Sequence, residues 1–336
     1  MKAFQIEQFG LENLQMVQLP EPVAGPGEVL VRVRAASLNY RDLMLVRGHY
    51  DPKLHMPRIP LSDGAGEVVA VGEGVTRFRA GDRVTGVFFR NWQEGAPAAE
   101  KTRGTLSGDL DGVLAEYIAL PERGVIHFPS HLSYEEASTL PCAGVTAWAA
   151  LIEVAAVKPG DTVVIQGTGG VSIFALQFAK MAGARVLGTS SSDEKLAKAK
   201  ALGLDAGLNY KQRPDWAAWV KEQTGGKGAD IVIEVGGAGT FSQSLQAVRV
   251  GGTVAQIGVL STTQEKWSVI PILMHQVRIV GIYVGSRTMF DAMNRAIALH
   301  RLQPVIDKIF PLAETLAAYR HLESGQHFGK VVIALG

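Results

Sequence analysis

The amino-acid sequence predicts an α/β protein in which a doubly wound parallel sheet is joined to a second, mainly antiparallel β domain. Residues 162–180 read as strand, glycine turn and helix in uninterrupted order. From about residue 129 onward, strand-like and helix-like segments alternate, which is typical of a parallel sheet with helices on both faces. The first third instead holds short alternating segments, such as residues 28–34, separated by glycine turns. That pattern is typical of antiparallel strands.

Composition restricts the class of protein. The chain has 336 residues, 47% hydrophobic and 19% charged, so it can bury more than one core and two domains are expected. The formal net charge of +1, without a Lys/Arg cluster, argues against a nucleic-acid partner or binding to an anionic membrane. A single cysteine, Cys142, excludes an intramolecular disulfide. With no long apolar segment, a cytoplasmic location is expected.

The glycine turn predicts a dinucleotide site. Its residues, with the one that opens the helix, are Gly167, Thr168, Gly169, Gly170 and Val171. Glycines here let the backbone approach a pyrophosphate, whose charge meets the free N–H groups and positive end of the helix. We therefore expect a Rossmann-type nucleotide-binding domain. Ser172 stands where a third glycine is usual, and we expect its hydroxyl to loosen the helix-to-strand packing.

Further elements follow from hydrophobic periodicity. Strands are predicted over residues 66–71, 114–120, 185–189, 206–210, 230–235, 253–258, 278–284 and 330–334. Helices are predicted over residues 193–202, 214–224, 289–302 and 313–324. Ser191 and Glu194 form a capping-box pattern before the first of these helices. The polar composition of residues 91–111 predicts a long surface loop. Trp92 in this loop is expected to be an ordinary surface aromatic, the alternative being that it closes over the substrate.

Six further motifs occur along the chain: SLNYRDLMLVRGHY (37–50), PLSDGAGEVVAVGEGV (60–75), GDRV (81–84), GVLAEY (112–117), ASTLPCAGVTAWAAL (137–151) and HFGKVV (327–332). With the glycine turn, they resemble the medium-chain dehydrogenase/reductase superfamily, specifically its zinc-independent quinone oxidoreductase-like, zeta-crystallin-like branch. The resemblance implies a GroES-like catalytic domain over residues 1–128, completed by residues 286–336. It implies a Rossmann nucleotide-binding domain over residues 129–285.

The resemblance also bears on zinc. Zinc-containing alcohol dehydrogenases of the superfamily hold their catalytic metal with a cysteine, a histidine in a Gly-His-Glu element and a second cysteine. The matching positions here are Asn39, Ser62 with Asp63, and Cys142. Zinc prefers thiolate and imidazole and needs three protein ligands in a catalytic site. We therefore expect no zinc.

A metal-free site favours particular substrates. Hydride addition to a simple ketone makes a full alkoxide, which a Lewis-acid metal stabilises. Hydride addition to a quinone or an α,β-unsaturated carbonyl spreads the charge over several atoms, so a few hydrogen-bond donors suffice. The sequence thus predicts an oxidoreductase that reduces quinones or α,β-unsaturated carbonyls. An alcohol or aldehyde dehydrogenase of the same superfamily, or a nucleotide-binding protein with little turnover, remain alternatives.

Two residues are candidates for catalysis. The resemblance places Tyr50 near the substrate, where its phenol can donate a proton to an enolate; the alternative is an aromatic wall or loop anchor. Asn39, at the vacated metal position, can hydrogen-bond the substrate carbonyl or a cofactor ribose, or merely cap a turn. Asp42 and Asp63 are expected to orient neighbouring donors.

The second strand of the nucleotide domain predicts NADPH rather than NADH. It ends in Ser190 and Ser191, without the carboxylate that binds a ribose 2′-OH in NAD-specific folds. Lys195 and Tyr210 match positions that bind the 2′-phosphate in quinone oxidoreductase-like relatives. Asp193 argues the other way, because it can turn toward a ribose hydroxyl.

Other cofactor contacts are expected at Thr146, Gly236, Gly258 and Val284. They lie at the domain junction or near the carboxyl ends of predicted strands, where open α/β sheets bind ligands. Taken individually, each glycine is more simply explained as a turn former. By analogy with relatives that join edge strands, a homodimer is expected.

Overall fold

The computed structural model describes residues 1–260 and 267–336, which form two compact units. Unit 1 comprises Met1–Val145 and Gly285–Gly336, and unit 2 comprises Thr146–Val284. Across these residues, every helix is too short or too polar to span a lipid bilayer.

The strands in chain order are β1 (Lys2–Ile6), β2 (Leu14–Gln18), β3 (Glu28–Leu38), β4 (Asp63–Val71), β5 (Arg83–Gly86), β6 (Tyr117–Pro121), β7 (Val125–His127), β8 (Thr162–Gln166), β9 (Arg185–Ser190), β10 (Ala206–Asn209), β11 (Ala229–Glu234), β12 (Val248–Gln256), β13 (Arg278–Gly281), β14 (Ile306–Pro311) and β15 (Lys330–Ala334). The α-helices are α1 (Tyr40–Val46), α2 (Tyr134–Ser138), α3 (Val145–Trp148), α4 (Gly170–Met181), α5 (Asp193–Ala201), α6 (Trp216–Gln223), α7 (Ala238–Ala247), α8 (Ile270–Met274), α9 (Arg287–His300) and α10 (Thr315–Glu323). Residues Leu140–Gly144 and Ala149–Val154 form π-helical turns on either side of α3.

Unit 1 is built on a sheet in the order β14-β15-β3-β4-β5-β7, with β6 also paired to β3. Its pairings are antiparallel except for β14 with β15. Val29, Val31 and Val33 of β3 are buried, as the alternating pattern predicted. Because β3 pairs with both β4 and β15, the end of β3 comes close to the starts of the other two strands. That convergence positions the polar cluster described below.

Unit 2 is a parallel sheet in the order β10-β9-β8-β11-β12-β13. The chain runs outward from β8 in one direction and then returns to β11 on the other side, so the order reverses between β8 and β11. In such sheets the crevice beyond the carboxyl ends of these two strands is where ligands bind. The predicted fold class, a doubly wound Rossmann-type sheet with a mainly antiparallel domain, is confirmed.

Helix α4 packs on this sheet through its apolar face. Ile173, Phe174 and Phe178 are each at most 2% exposed. The rings of Phe174 and Phe178 stack at 5.8 Å, and Trp148 meets Phe178 edge-on at 5.5 Å. Burial of such side chains is worth about 1.5–3 kcal/mol each. Packing therefore fixes α4 directly behind the glycine turn.

Several elements differ from the sequence prediction. Helix α7 was not predicted, because only Phe241, Ser244, Leu245 and Ala247 of it are buried and its start is glycine-rich. Residues 91–111 contain no helix or strand, but Trp92 is only 6% exposed, so its prediction as a surface aromatic was wrong. Its indole packs on Phe89 at 6.0 Å.

Residues 129–145 lie in unit 1, whereas the sequence predicted them in the nucleotide-binding domain. The reason is that α2 packs on β3 and β4 of unit 1. The assignment of functional domains to residues 1–128 with 286–336, and to 129–285, stays a prediction.

Gly258 offers a test of the close packing between β11 and β12. A Cβ at Gly258 would lie 1.7 Å from the carbonyl oxygen of Val235, a backbone atom that cannot move aside cheaply. We expect Gly258→Ala to lower the free energy of unfolding by about 1–3 kcal/mol, measured by urea denaturation. Gly281→Ala is the matched control, since a Cβ there meets nothing within 4 Å; its unfolding free energy should change by no more than about 0.5 kcal/mol. Equal stabilities of the two variants would contradict this packing.

Candidate functional site

The glycine turn of unit 2 has the conformation that a pyrophosphate site requires. Strand β8 ends at Gln166, and Gly167 follows with a φ of 66°, in the left-handed region that favours glycine. Gly169 is the N-cap of α4, and Gly170 is its first residue. The first turn of α4 carries no acidic residue, so its free N–H groups present an unopposed positive end. Thr168 is buried within the turn.

Ser172, at the place of the usual third glycine, does not loosen the turn as expected. Its Oγ donates a hydrogen bond of 2.7 Å to the carbonyl oxygen of Gln166, and the side chain is 2% exposed. The hydroxyl therefore ties the first turn of α4 to the last residue of β8. The expectation was wrong because it considered only the added volume of the serine side chain and not the hydrogen bond that its hydroxyl forms with Gln166.

A buried carboxylate organises the neighbouring strand end, and sequence reasoning missed it. Glu234, the last residue of β11, is fully buried. It accepts hydrogen bonds from the side chains of Gln166, Thr240 and Ser244 and from the backbone N–H groups of Gly236 and Gly237. A buried charge needs such compensation. The network joins the ends of β8 and β11, the two strands at which the sheet order reverses.

Four predicted cofactor residues lie near the ends of β9 and β10. Ser190 ends β9, and its carbonyl oxygen accepts a 3.0 Å hydrogen bond from the Tyr210 N–H just beyond β10. Ser191 follows Ser190, and Lys195 lies in the first turn of α5. The N-cap of α5 is Ser192, whose Oγ accepts from the Lys195 N–H at 3.3 Å. The capping box predicted at Ser191 and Glu194 was therefore wrong: Ser192 caps the helix, and Lys195 stands where a capping box has Glu or Gln.

Asp193, the residue that argued against NADPH, is occupied by other partners. One carboxylate oxygen accepts from Asn209 Nδ2 at 3.1 Å and the other from Gln212 Nε2 at 2.9 Å. Both partners lie at or just beyond the end of β10, so they hold this carboxylate toward that strand.

The remaining predicted cofactor residues of unit 2 lie on four separate segments. Thr146 is buried in α3, and Gly236 follows β11. Gly258 follows β12, and its N–H donates to the Glu234 carbonyl oxygen at 3.0 Å. The crowding at Gly258 supports its alternative interpretation as a turn former. Val284 is 5% exposed and has a φ of 57°, a strained backbone for a β-branched residue and a feature that clusters at ligand sites.

Unit 1 gathers a polar cluster at the end of β3 and the start of β4. Asn39 lies between β3 and α1, and its N–H donates to Asp42 Oδ2 at 2.8 Å. Asp63, the first residue of β4, accepts from Ser62 Oγ at 2.7 Å and from the Cys142 N–H at 2.9 Å. As expected, both aspartates orient neighbouring donors. The four positions that match zinc-ligand positions thus lie in two hydrogen-bonded groups, Asn39 with Asp42 and Asp63 with Ser62 and Cys142.

Lys330 belongs to the same cluster, and sequence reasoning missed it. Its side chain is 3% exposed, and its Nζ donates to the Leu38 carbonyl oxygen at 2.6 Å and to Asn39 Oδ1 at 2.5 Å. Burial lowers the pKa of Lys330, although the charge of Asp63 partly offsets this. A lysine just before an apolar strand looks like an ordinary surface residue in the sequence. Only the pairing of β15 with β3 brings it to Asn39.

Tyr50 and Arg41 lie on the other side of this cluster. The guanidinium of Arg41 is 4.8 Å from the centroid of the Tyr50 ring and 5.0 Å from that of Phe88. Arg41 also shares a side-chain hydrogen bond with Tyr50. Its Nη1 is 3.4 Å from Asp42 Oδ1. Tyr50 and Asn39 therefore flank α1 and are linked through Arg41 and Asp42.

The sequence matches two family models, an alcohol dehydrogenase GroES-like domain over residues 25–130 and a zinc-binding dehydrogenase domain over residues 170–299. A zinc-type alcohol dehydrogenase-like protein of Schizosaccharomyces pombe is 46% identical over 92% of this chain and 91% of its own. The chain belongs to the medium-chain dehydrogenase/reductase superfamily. It is accordingly an NAD(P)-dependent oxidoreductase. An acryloyl-coenzyme A reductase of Metallosphaera sedula is 31% identical, covering 96% of both chains.

Solved structures of superfamily members share the whole fold. A putative alcohol dehydrogenase of Sinorhizobium meliloti superposes with a TM-score of 0.94 at 42% identity, over 99% of this chain and 98% of its own. A mycobacterial protein solved in complex with NADPH gives 0.84 at 28% identity, over all of both chains. A cobalt- and zinc-bound alcohol dehydrogenase of Pyrobaculum aerophilum gives 0.87 at 30% identity, over 100% and 99%.

The residues of this superfamily member do not fit a catalytic zinc. Cys142 is the one thiol of the chain, and burial raises its pKa, whereas a catalytic zinc site needs three protein ligands. Both oxygens of Asp63 already accept hydrogen bonds, and the Lys330 ammonium contacts the Asn39 oxygen. Across residues 1–260 and 267–336, no three His, Cys, Asp or Glu side chains are grouped to hold a metal ion.

Asp42 predicts a pH dependence of stability. Burial raises the pKa of this carboxyl from 3.8 to about 6, with Arg41 opposing the shift and Asp63 adding to it. Below about pH 4 both the folded and the unfolded forms are protonated. Between about pH 4 and about pH 6 the unfolded form ionises first, so the free energy of unfolding falls by about 3 kcal/mol.

Asp42→Asn removes this titration. Urea denaturation should show the variant gaining about 3 kcal/mol on the wild type as pH rises from about 4 to about 6.5. Parallel pH profiles for the two proteins would contradict the raised pKa of Asp42.

Proposed function

We propose that this chain is an NADPH-dependent oxidoreductase that works without zinc and transfers hydride to quinones or α,β-unsaturated carbonyls. The observation that carries the proposal is the cluster at Asn39. Where zinc-type relatives place metal ligands, this chain has an amide, a hydroxyl, a single thiol and a hydrogen-bonded carboxylate, with the Lys330 amino group beside them. Such a cluster offers hydrogen bonds and no Lewis acid.

Those hydrogen bonds suit a conjugated acceptor. An alkoxide made from a simple ketone concentrates its charge on one oxygen, which a metal stabilises by several kcal/mol. An enolate or phenolate spreads that charge, and oriented donors in a dry site then suffice. The name of the Metallosphaera relative supports this choice, because acryloyl-coenzyme A is an α,β-unsaturated thioester.

The residues of unit 2 fit a dinucleotide. The first turn of α4, with Gly167, Thr168, Gly169, Gly170 and Val171, would hold the pyrophosphate. Further contacts would come from Thr146, Gly236, Gly258 and Val284. When bound, NADPH supplies the hydride and is oxidised to NADP⁺.

The phosphorylated cofactor is favoured by the residues beyond β9 and β10. Ser190, Ser191 and Tyr210 offer hydroxyl groups, and Lys195 offers a charge near the N-terminus of α5. Asp193 is held by Asn209 and Gln212, which removes the main argument for NADH. The NADPH complex of the mycobacterial relative supports the same choice.

In unit 1, the proposal gives Asn39 and Tyr50 distinct roles. The amide nitrogen of Asn39 donates to the carbonyl oxygen of the acceptor as charge develops there. Tyr50 donates the proton that completes the reduction, and Arg41 holds its phenol through their shared hydrogen bond.

The nearest alternative is an alcohol dehydrogenase, which the names of the Schizosaccharomyces and Sinorhizobium relatives favour. The donor set at Asn39 argues against that chemistry here.

We also propose that the enzyme acts on small molecules in the cytoplasm as a homodimer. Strand β13 is an edge of the unit 2 sheet, and α8 just before it exposes Ile270, Leu273 and Met274 at 63%, 76% and 68%. Exposed apolar patches beside a sheet edge are typical of interfaces. Elution as a monomer in size-exclusion chromatography would remove the dimer from the proposal.

Substrate class is tested by following NADPH oxidation with a naphthoquinone, a cyclic enone, a simple ketone and an aldehyde. We expect turnover with the quinone or the enone, at a kcat/KM at least about 100-fold above that for the ketone. Preferential turnover of the ketone or aldehyde would favour the alcohol dehydrogenase. Tight NADPH binding without turnover on any acceptor would favour a nucleotide-binding protein.

Cofactor choice is tested at Ser191. Ser191→Asp brings a carboxylate to the proposed 2′-phosphate position, so the dissociation constant for NADPH, measured by fluorescence titration, should rise at least about tenfold. The constant for NADH should change less. Ser191→Asn, equal in size but neutral, is the control and should stay within about threefold of the wild type. Equal effects of the two substitutions would show that Ser191 does not lie near the phosphate.

A further inference from the structure

Lys330 is the buried charge that the proposed reaction leaves unused. It is the first residue of β15, and the pairing of Val331 with Leu38 sets it beside Asn39. Its Nζ donates to the Asn39 side chain and to the carbonyl oxygen of Leu38. Buried lysines are rare unless paired, so a specific contact of this kind calls for an explanation.

We propose that Lys330 is a positioning residue, which orients the Asn39 amide toward the carbonyl oxygen of the acceptor and supplies the positive charge that zinc supplies in zinc-type relatives. This inference rests on the proposed function and assigns a carbonyl-binding subsite within unit 1. Its ligand is the oxygen of an enone or a quinone.

The orientation of the Asn39 amide follows from the chemistry of its partner. An ammonium has donors only, so the atom of Asn39 that faces Nζ must be the carbonyl oxygen Oδ1. The amide nitrogen Nδ2 is then turned away from Lys330. Within the described part of the chain, this nitrogen is buried and has no hydrogen-bond partner. A buried donor without a partner is unfavourable, and an acceptor oxygen would satisfy it.

The two carboxyl groups near Lys330, those of Asp42 and Asp63, accept hydrogen bonds from other donors. Asp42 accepts from the Asn39 N–H, and Asp63 accepts from Ser62 and from the Cys142 N–H. The two hydrogen bonds of the ammonium both go to uncharged oxygens, at Leu38 and Asn39. Lys330 therefore polarises the Asn39 amide, which makes Nδ2 a stronger donor.

The chemical step uses that donor directly. As the β-carbon of an enone gains hydride, a C–H bond forms there, the C=C π bond breaks and its electron pair moves toward the carbonyl oxygen. Asn39 Nδ2 donates its hydrogen bond to this oxygen, and the proton that Tyr50 gives up then adds at the α-carbon, while the hydride has come from NADPH. Donors placed where charge develops are worth about 10²–10³ in kcat when they are removed one at a time.

A double-mutant cycle tests the link between the two residues. The variants are Lys330→Met, Asn39→Ala and their combination, with Lys330→Arg as the charge-conserving variant. The readouts are kcat with a cyclic enone and, in the unreactive NADP⁺ complex, the affinity for the same enone by calorimetry. Lys308→Met is the matched control, because Lys308 is exposed on the neighbouring strand β14.

We expect each single variant to weaken enone binding about tenfold and to lower kcat about 100-fold. The combination should be no worse than Asn39→Ala, because Lys330 acts through Asn39. Lys330→Arg should recover most of the loss. Lys308→Met should match the wild type, and the NADPH dissociation constant should stay within about threefold throughout.

The inference would be overturned if the double variant lost the product of the two single-variant losses in enone affinity and kcat. It would also be overturned if Lys330→Met bound the enone as tightly as the wild type. If the Lys330→Met variant does not fold, the Asn39→Asp variant provides the test. An aspartate keeps a side-chain oxygen that accepts from Lys330, but it lacks the amide nitrogen that would donate to the enone. It should lose enone affinity as Asn39→Ala does, and wild-type affinity would overturn the inference. A wild-type protein that reduces no acceptor would instead refute the proposed function, and this inference with it.

Discussion

The burial of the Lys330 side chain against the end of β3 is the contact on which the proposed chemistry of unit 1 depends. It joins the start of β15 to the end of β3, contacts the Asn39 side chain and places an amino group, whose pKa is lowered by burial, close to Asp42, Asp63 and Cys142. A metal ion added to this cluster would meet a like charge and ligands that are already hydrogen-bonded. In the proposed function, the same contact disfavours a zinc ion and leaves the Asn39 amide nitrogen available to an acceptor oxygen.

Unit 2 also contains a buried ionisable side chain with hydrogen-bond partners, in this case an acidic one. Glu234 is buried at the end of β11, and five donors around it hold together the turns that follow β8 and β11. In the proposed function, backbone N–H groups held in this way would meet a pyrophosphate without further rearrangement. In both units, therefore, a buried and compensated charge holds the backbone or side-chain donors on which the proposed function relies.

How much the sequence could predict depended on whether a signal was local. The parallel sheet of unit 2 was predictable because its strands are β-branched runs and its turn is marked by glycines at residues 167–170. Helix α7 was missed because a sparse, polar segment carries little periodic signal, and Trp92 was misjudged because loop composition says nothing about burial. Lys330 and Asn39 are 291 positions apart, so only the paired strands bring them together.

The central claim is that hydride transfer here proceeds with a lysine in place of a metal. The most direct measurement is the zinc content of the purified enzyme before and after exhaustive treatment with a chelator, taken together with NADPH-dependent reduction of an enone. The account predicts well under one zinc per chain in both samples and the same rate of reduction. One tightly held zinc per chain, whose removal abolishes the rate and whose return restores it, would contradict the account.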